Sequence, residues 1–361
     1  MKMRKIVCSF MISVLCFMTA ISGVSATSYD TSKINAAYSK VVEYYKNNNN
    51  LNNADKILAV ESLGLEAESN QFDTSSANLS STSLSKKIVT EVLLGVDPTK
   101  DKETLESQID ENGNVEGSWG ASSDVWTLYA LYVTSSEKTN LIANKLNDEL
   151  AASSVCGYEW GGTYYADYDT TGWVIEGLAV VNKEKYATTI NKAIDYIKNN
   201  TTMTTTGWVT ADNVDTQSQV LEGMFAYDTN ALLNDSYTVH PVDCLLNTQL
   251  SDGSFPSGYN AEYTTAEVAK TLGTYKNGSV IIKAKKAYDK MMNPEQPDNT
   301  KPAQPTDTKK DSQSTNKVET TNQKTTSVKT GDETNVVIFV SLSMVSGGLF
   351  LVLRKEYERV H

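Results

Sequence analysis

The sharpest chemistry in this 361-residue chain sits on three carboxylates. In Asp167-Tyr-Asp-Thr-Thr171, Asp169 opens a run from Trp173 to Val181 that is apolar nearly all round. A carboxyl kept neutral in such surroundings can act as a proton donor, provided a second acid or a hydrogen-bond donor stands beside it. The competing reading is a helix cap, because Asp and Thr satisfy the free N–H groups of a first turn, and the same Asp-Thr pair recurs at Asp215-Thr216. We read Asp169 first as a cap and second as an acid. Glu176 and Glu222 occupy matched places on apolar helices, where a pair of carboxylates could do acid/base work on glycans. Their repetition favours a structural role, in hydrogen bonds to neighbouring helices.

Aromatic residues gather around the same segments: Trp119, Trp126, Trp160, Tyr164, Tyr165, Tyr168, Trp173, Trp208, Tyr259 and Tyr263. Aromatic faces mixed with Asp, Asn and Gln suit a sugar, a corrin-like ring or an apolar peptide. The expected ligand face is therefore Trp119, Asp124, Trp160, Tyr168, Asp169, Trp173, Trp208, Asp215 and Tyr263, and binding is expected rather than catalysis. Packing between repeats accounts for at least half of the tryptophans. His240, Asp243 and Cys244 share one short amphipathic stretch and read as structural, so no metal or cofactor is expected, a corrinoid entering only as a ligand. Cys156 and Cys244 leave a disulfide open in an exported chain, although two cysteines make no framework.

These residues need elements to position them. Asp169-Thr-Thr-Gly-Trp-Val-Ile-Glu-Gly177 and Asp215-Thr-Gln-Ser-Gln-Val-Leu-Glu-Gly223 superpose at a spacing of 46 residues, the length of a helix pair. Weaker copies start at Asp124 and Tyr263, each after a Gly-rich loop. Apolar residues at three- and four-residue spacing predict helices throughout, with no convincing alternating strand. One kind of helix is apolar nearly all round and must be covered on both sides; the other is amphipathic. Six of the first kind start near Ala54, Leu84, Asp124, Thr170, Thr216 and Thr264. Alternating with about six outer helices, they describe an all-α fold, an α/α toroid over residues 28–293.

That pattern resembles the prenyltransferase and squalene-cyclase repeat superfamily, which includes cobalamin carriers and complement thioester domains. Gln249 with Asp252-Gly-Ser-Phe255 is similar to its Gln…Gly-Ser-Trp motif, and Leu93-Leu-Gly-Val-Asp-Pro-Thr99 to a stretch of its secreted bacterial branch. The resemblance covers residues 30–292 and implies the fold far more than an activity. Asp167-Tyr-Asp-Thr-Thr171 resembles the cyclases' Asp-x-Asp-Asp-Thr acid motif, which would make Asp169 the acid, but Thr170 replaces the third Asp. Cys156-Gly-Tyr-Glu159 lacks the Gln of the thioester motif Gly-Cys-Gly-Glu-Gln, so no thioester is expected.

The two ends imply export. Lys2, Arg4 and Lys5 precede an apolar run from Ile6 to Ile21 and the small residues Val24-Ser-Ala26, a secretory leader over 1–26. Residues 294–332 are Pro, Thr, Lys, Ser and Gln with almost no large apolar side chain, a disordered linker. Val336 to Leu353 carries no charge and is followed by Arg354 and Lys355, a transmembrane anchor with a basic tail over 333–361. Ser327-Val-Lys-Thr-Gly-Asp332 before it resembles the Leu-Pro-x-Thr-Gly sorting signal of Gram-positive wall proteins, with Ser327 and Val328 in place of Leu and Pro. The resemblance implies that sortase cuts between Thr330 and Gly331 and joins Thr330 to peptidoglycan, with the membrane anchor as the plainer reading. A formal charge of −12 argues against nucleic acid as a partner; an extracellular small molecule or glycan is expected instead.

Overall fold

The computed structural model describes residues 29–68, 79–160, 162–207 and 209–294. The expected leader, the linker, the sorting residues Thr330 and Gly331, and the expected anchor lie outside them. Among the described residues, no helix is long and apolar enough to cross a membrane.

The described residues are mostly helical. Six helices carry the apolar sequence runs: α2 (Ala54–Ser62), α3 (Ser81–Leu93), α5 (Ala121–Val133), α7 (Tyr168–Asn200), α9 (Val214–Asn234) and α11 (Ala261–Asn277). Each packs on the next in that order, and α11 packs back on α2. More amphipathic helices lie beside them: α1 (Ser32–Asn47), α4 (Thr99–Ser107), α6 (Thr139–Ser153) and α12 (Val280–Met292), with the short α8 (Thr202–Thr205) and α10 (Pro241–Leu246). Burial follows the sequence kinds. Nearly every residue of α5 is buried, whereas α6 buries only Ile142, Ala143, Leu146 and Leu150.

The 46-residue repeat reaches further than the matched letters. α7 bends at Asn182 and α9 at Asp228, positions again 46 apart, where the backbone leaves helical geometry. Each bend is also a cap: Asn182 Oδ1 accepts from the Lys185 N–H at 3.0 Å and Asp228 Oδ1 from the Ala231 N–H at 2.9 Å. Thus Trp173–Val181 and Val220–Tyr227 end where their apolar patterns end, although the chain continues helically past both.

Close packing between repeats rests on glycine. A Cβ at Gly172 would lie 2.3 Å from the Gln219 carbonyl oxygen, and one at Gly223 only 2.2 Å from the Gly172 carbonyl oxygen. α7 and α9 therefore touch backbone to backbone, a contact no other residue allows.

Two expectations need correction. A hairpin, β1 (Gly157–Trp160) with β2 (Thr163–Ala166), stands where no strand was expected, pairing Tyr158 with Tyr165. Every residue of β2 is exposed, so no alternation of buried and exposed residues marks it. The helix α4 was also missed, since only Leu105 of it is buried and its sequence carries little apolar period.

Candidate functional site

The helix starts of α7, α9, α11 and α2 lie side by side, and the acidic residues expected to act are found there. The N-cap of α7 is Asp167, not Asp169: its carboxylate accepts from the Thr170 N–H at 3.2 Å and the Thr170 hydroxyl at 2.7 Å. The cap reading was thus right for the motif and misplaced by two residues. The Thr that departs from the cyclase pattern is the partner of that cap. Asp169, released from capping, faces the start of α9. Burial, helped by the charges of Asp167 and Asp215, pushes its carboxyl up to about 6, against the pull of a hydrogen bond from Thr216.

Asp215 lies one residue into α9 and is buried. One oxygen, Oδ2, accepts from the Tyr259 hydroxyl at 2.5 Å; the other, Oδ1, has no partner among the described residues. Burial and the Asp215 carboxylate raise the Tyr259 hydroxyl, so it stays a donor. Tyr263 packs near Tyr259 with ring centroids 6.1 Å apart, and its hydroxyl accepts from Gln219 Nε2 at 3.4 Å. Asp169, Asp215 and Tyr263 are therefore brought together, joined by Tyr259, Thr216 and Gln219.

A second polar cluster lies deeper. Gln219 Nε2 also donates to Glu267 Oε2 at 3.1 Å, and Lys270 Nζ stands 3.0 Å from Glu267 and 3.7 Å from Glu222. All three charged residues are buried, as is Glu176, which accepts from Ser279 at 2.6 Å and from the Tyr129 hydroxyl at 3.0 Å. Burial pushes Glu222 far above the ordinary carboxylate range, with Lys270 opposing, and raises Glu176 as well. One ammonium among three buried carboxylates compensates them only in part, and burial favours the neutral form of Glu222 and Glu176. Trp126 fills the space beside this cluster, with Lys270 5.4 Å and Lys86 4.5 Å from its ring centroid. Glu176 and Glu222 are thus enclosed and bonded to neighbouring helices, in line with the structural role that their repetition favoured, and the alternative of cavity carboxylates is set aside.

The remaining expected residues scatter. Trp119 is 88% exposed on the loop before α5. Asp124 is buried, held by the Ser118 hydroxyl at 2.6 Å and Lys145 at 2.9 Å. Trp173 packs edge-on against Trp126 at 5.8 Å, and Tyr168 leans on Tyr196 at 6.5 Å. Trp208 and the side chain of Trp160 lie outside the described residues. Cys156 and Cys244 are both free and buried, so the open disulfide is corrected to two separate thiols. Burial raises the Cys156 thiol well above its usual range, which leaves it inert. Among the described residues, no three His, Cys, Asp or Glu side chains gather as a metal site.

Sequence reasoning missed Glu267, Lys270, Tyr129 and Ser279. A signal was present for two of them, since Thr264 to Leu272 is otherwise uncharged and was expected to be a buried helix, and charges on such a helix have to pair. Comparison of the chain with protein-family models, curated proteins and solved structures found no match.

Proposed function

We propose that this chain is an exported, surface-held α/α toroid that binds an extracellular glycan at the end where its six apolar helices begin. The closing contact of α11 on α2 supports the toroid, and the terminal segments of the sequence support export and anchoring by sortase at Thr330. The observation that carries the binding reading is Asp169. It is a partly exposed carboxyl raised to about 6, beside Asp215 with an unpartnered oxygen and the donor Tyr259. Such a set offers both a donor and acceptors to sugar hydroxyls, next to tyrosine rings. Glu176 and Glu222 are both buried and offer no carboxyl to a sugar.

The test is binding of the full-length chain to a glycan array, with a corrinoid as control and Asp169→Asn alongside. Saturable glycan binding that Asp169→Asn weakens at unchanged fold supports the reading; wild-type binding to no glycan overturns it. A second reading, a spacer or adhesin with a plugged centre, draws on the interior filled by Trp126, Glu222, Glu267 and Lys270. It expects Asp169→Asn to alter stability alone.

A further inference from the structure

The corner where α1 ends and both α2 and α11 begin holds two open clefts, of about 280 and 80 Å³, that share Lys56 and Glu262. Tyr44 and Tyr45 wall the larger, edge to face at 5.3 Å, and Tyr263 walls the smaller. The lining is otherwise rich in amides. Asn47 and Asn48 spend amide N–H groups on the Glu43 carbonyl at 3.0 Å and the Tyr44 carbonyl at 2.8 Å, at the C-terminal end of α1. That leaves the acceptor oxygen of Asn48 unspent, and Asn49 and Asn50 make no side-chain hydrogen bond among the described residues. Lys56 is held by Glu262 at 2.8 Å and by Asn52 at 3.4 Å.

We infer that this corner is a second sugar subsite, for a neutral unit of the same glycan chain that reaches Asp169. Free amides supply both donors and acceptors, which is what a hydroxyl needs from each partner. An anion would face Glu262 and Asp55, and a cation would face Lys56, so charged ligands are repelled on one side or the other. Tyr44 offers a partly exposed ring for the apolar face of a pyranose. The larger cleft falls just under the roughly 300–1,000 Å³ of sites for drug-sized ligands, a size for one or two sugar rings.

Continuity favours one linear chain over two separate ligands. Tyr263 walls the smaller cleft and stands beside Tyr259, which is bonded to Asp215, which adjoins Asp169. The subsite therefore rests on the binding reading above and narrows its ligand to a linear neutral oligosaccharide.

The experiment is calorimetric titration of the full-length chain with neutral gluco-, xylo- and manno-oligosaccharides of increasing length. Affinity is expected to rise with length. The double variant Asn49→Ala/Asn50→Ala, and separately Glu262→Ala, should weaken the longer members about five- to tenfold, the loss of one or two hydrogen bonds, and leave the shortest unchanged. All three side chains are exposed, so folding is not at stake. Asp169→Asn should weaken every member. Should both corner variants bind all lengths like wild type while Asp169→Asn weakens them, the second subsite is overturned and the first stands. Absence of any wild-type binding overturns both.

Discussion

Asp169 with Asp215 and Glu222 with Glu267 are two pairs of carboxylates on one set of packed helices, and they have met opposite fates. The deeper pair is enclosed and carries its own cation, Lys270. The outer pair has no cation among the described residues and leaves Asp169 partly exposed; unpartnered oxygens occur in both pairs, on Asp215 in the outer and on Glu222 and Glu267 in the deeper. A carboxylate pair with a built-in counterion holds a fold together; one without it is an unfinished set of contacts that a ligand can complete. The helices α9 and α11 take part in both, so depth along a helix decides the role.

Breaking the deeper set should have the largest effect. Lys270→Met leaves buried carboxylates without their cation and is expected to cost about 3–5 kcal/mol at neutral pH. Urea denaturation reads the loss, which should shrink in acid as the carboxylates take up protons. A result near wild type at neutral pH would mean that the cluster is already protonated and needs no ammonium.

The two repeats themselves supply a smaller contrast, since Gly177 and Gly223 are matched positions. Gly223→Ala drives a methyl into the Gly172 carbonyl and should cost about 1–3 kcal/mol. At Gly177 a Cβ would sit 3.1 Å from the end of Leu128, a flexible side chain, so Gly177→Ala should cost under about 1 kcal/mol. Equal losses in thermal melts would show that α7 and α9 are not in backbone contact.

The outer pair predicts an effect of opposite sign. A carboxyl raised to about 6 in the folded chain, from 3.8, binds its proton more tightly folded than unfolded. It contributes stability that is complete below about pH 4 and lost as pH rises through 6. Asp169→Asn, which keeps a neutral group, should therefore stabilise the chain at pH 7 by on the order of 2–3 kcal/mol and change little at pH 4. Melting curves at the two pH values decide; destabilisation at pH 7 would mean that Asp169 has an ionic partner.

What the sequence made legible follows the same division. The six buried helices could be read because covering a helix on both sides leaves an apolar pattern that no surface segment imitates. The hairpin could not, because its tyrosines are exposed and pair with each other, not with a core. Asp169 was misread as a cap because Asp167 and Asp169 are both spaced to bond a first-turn N–H, and only the backbone turn at Asp167 decides between them. Lys270 was missed because its partners lie on α9 and on its own helix, and the insertion that puts Gln219 and Glu267 48 residues apart breaks the register of the repeat.

The bends at Asn182 and Asp228 have a further consequence. At the far ends of α7, α9 and α11 the chain turns with little or no slack: a bend in α7, a bend in α9, two residues between α11 and α12. The near ends are joined by the longer stretches 108–120, 154–167, 201–213 and 247–260. Around α7, α9 and α11, insertions and deletions would therefore be absorbed mainly at the near ends. A lineage of such chains could remodel what those ends recognise, loop by loop, while the helical frame stayed unaltered.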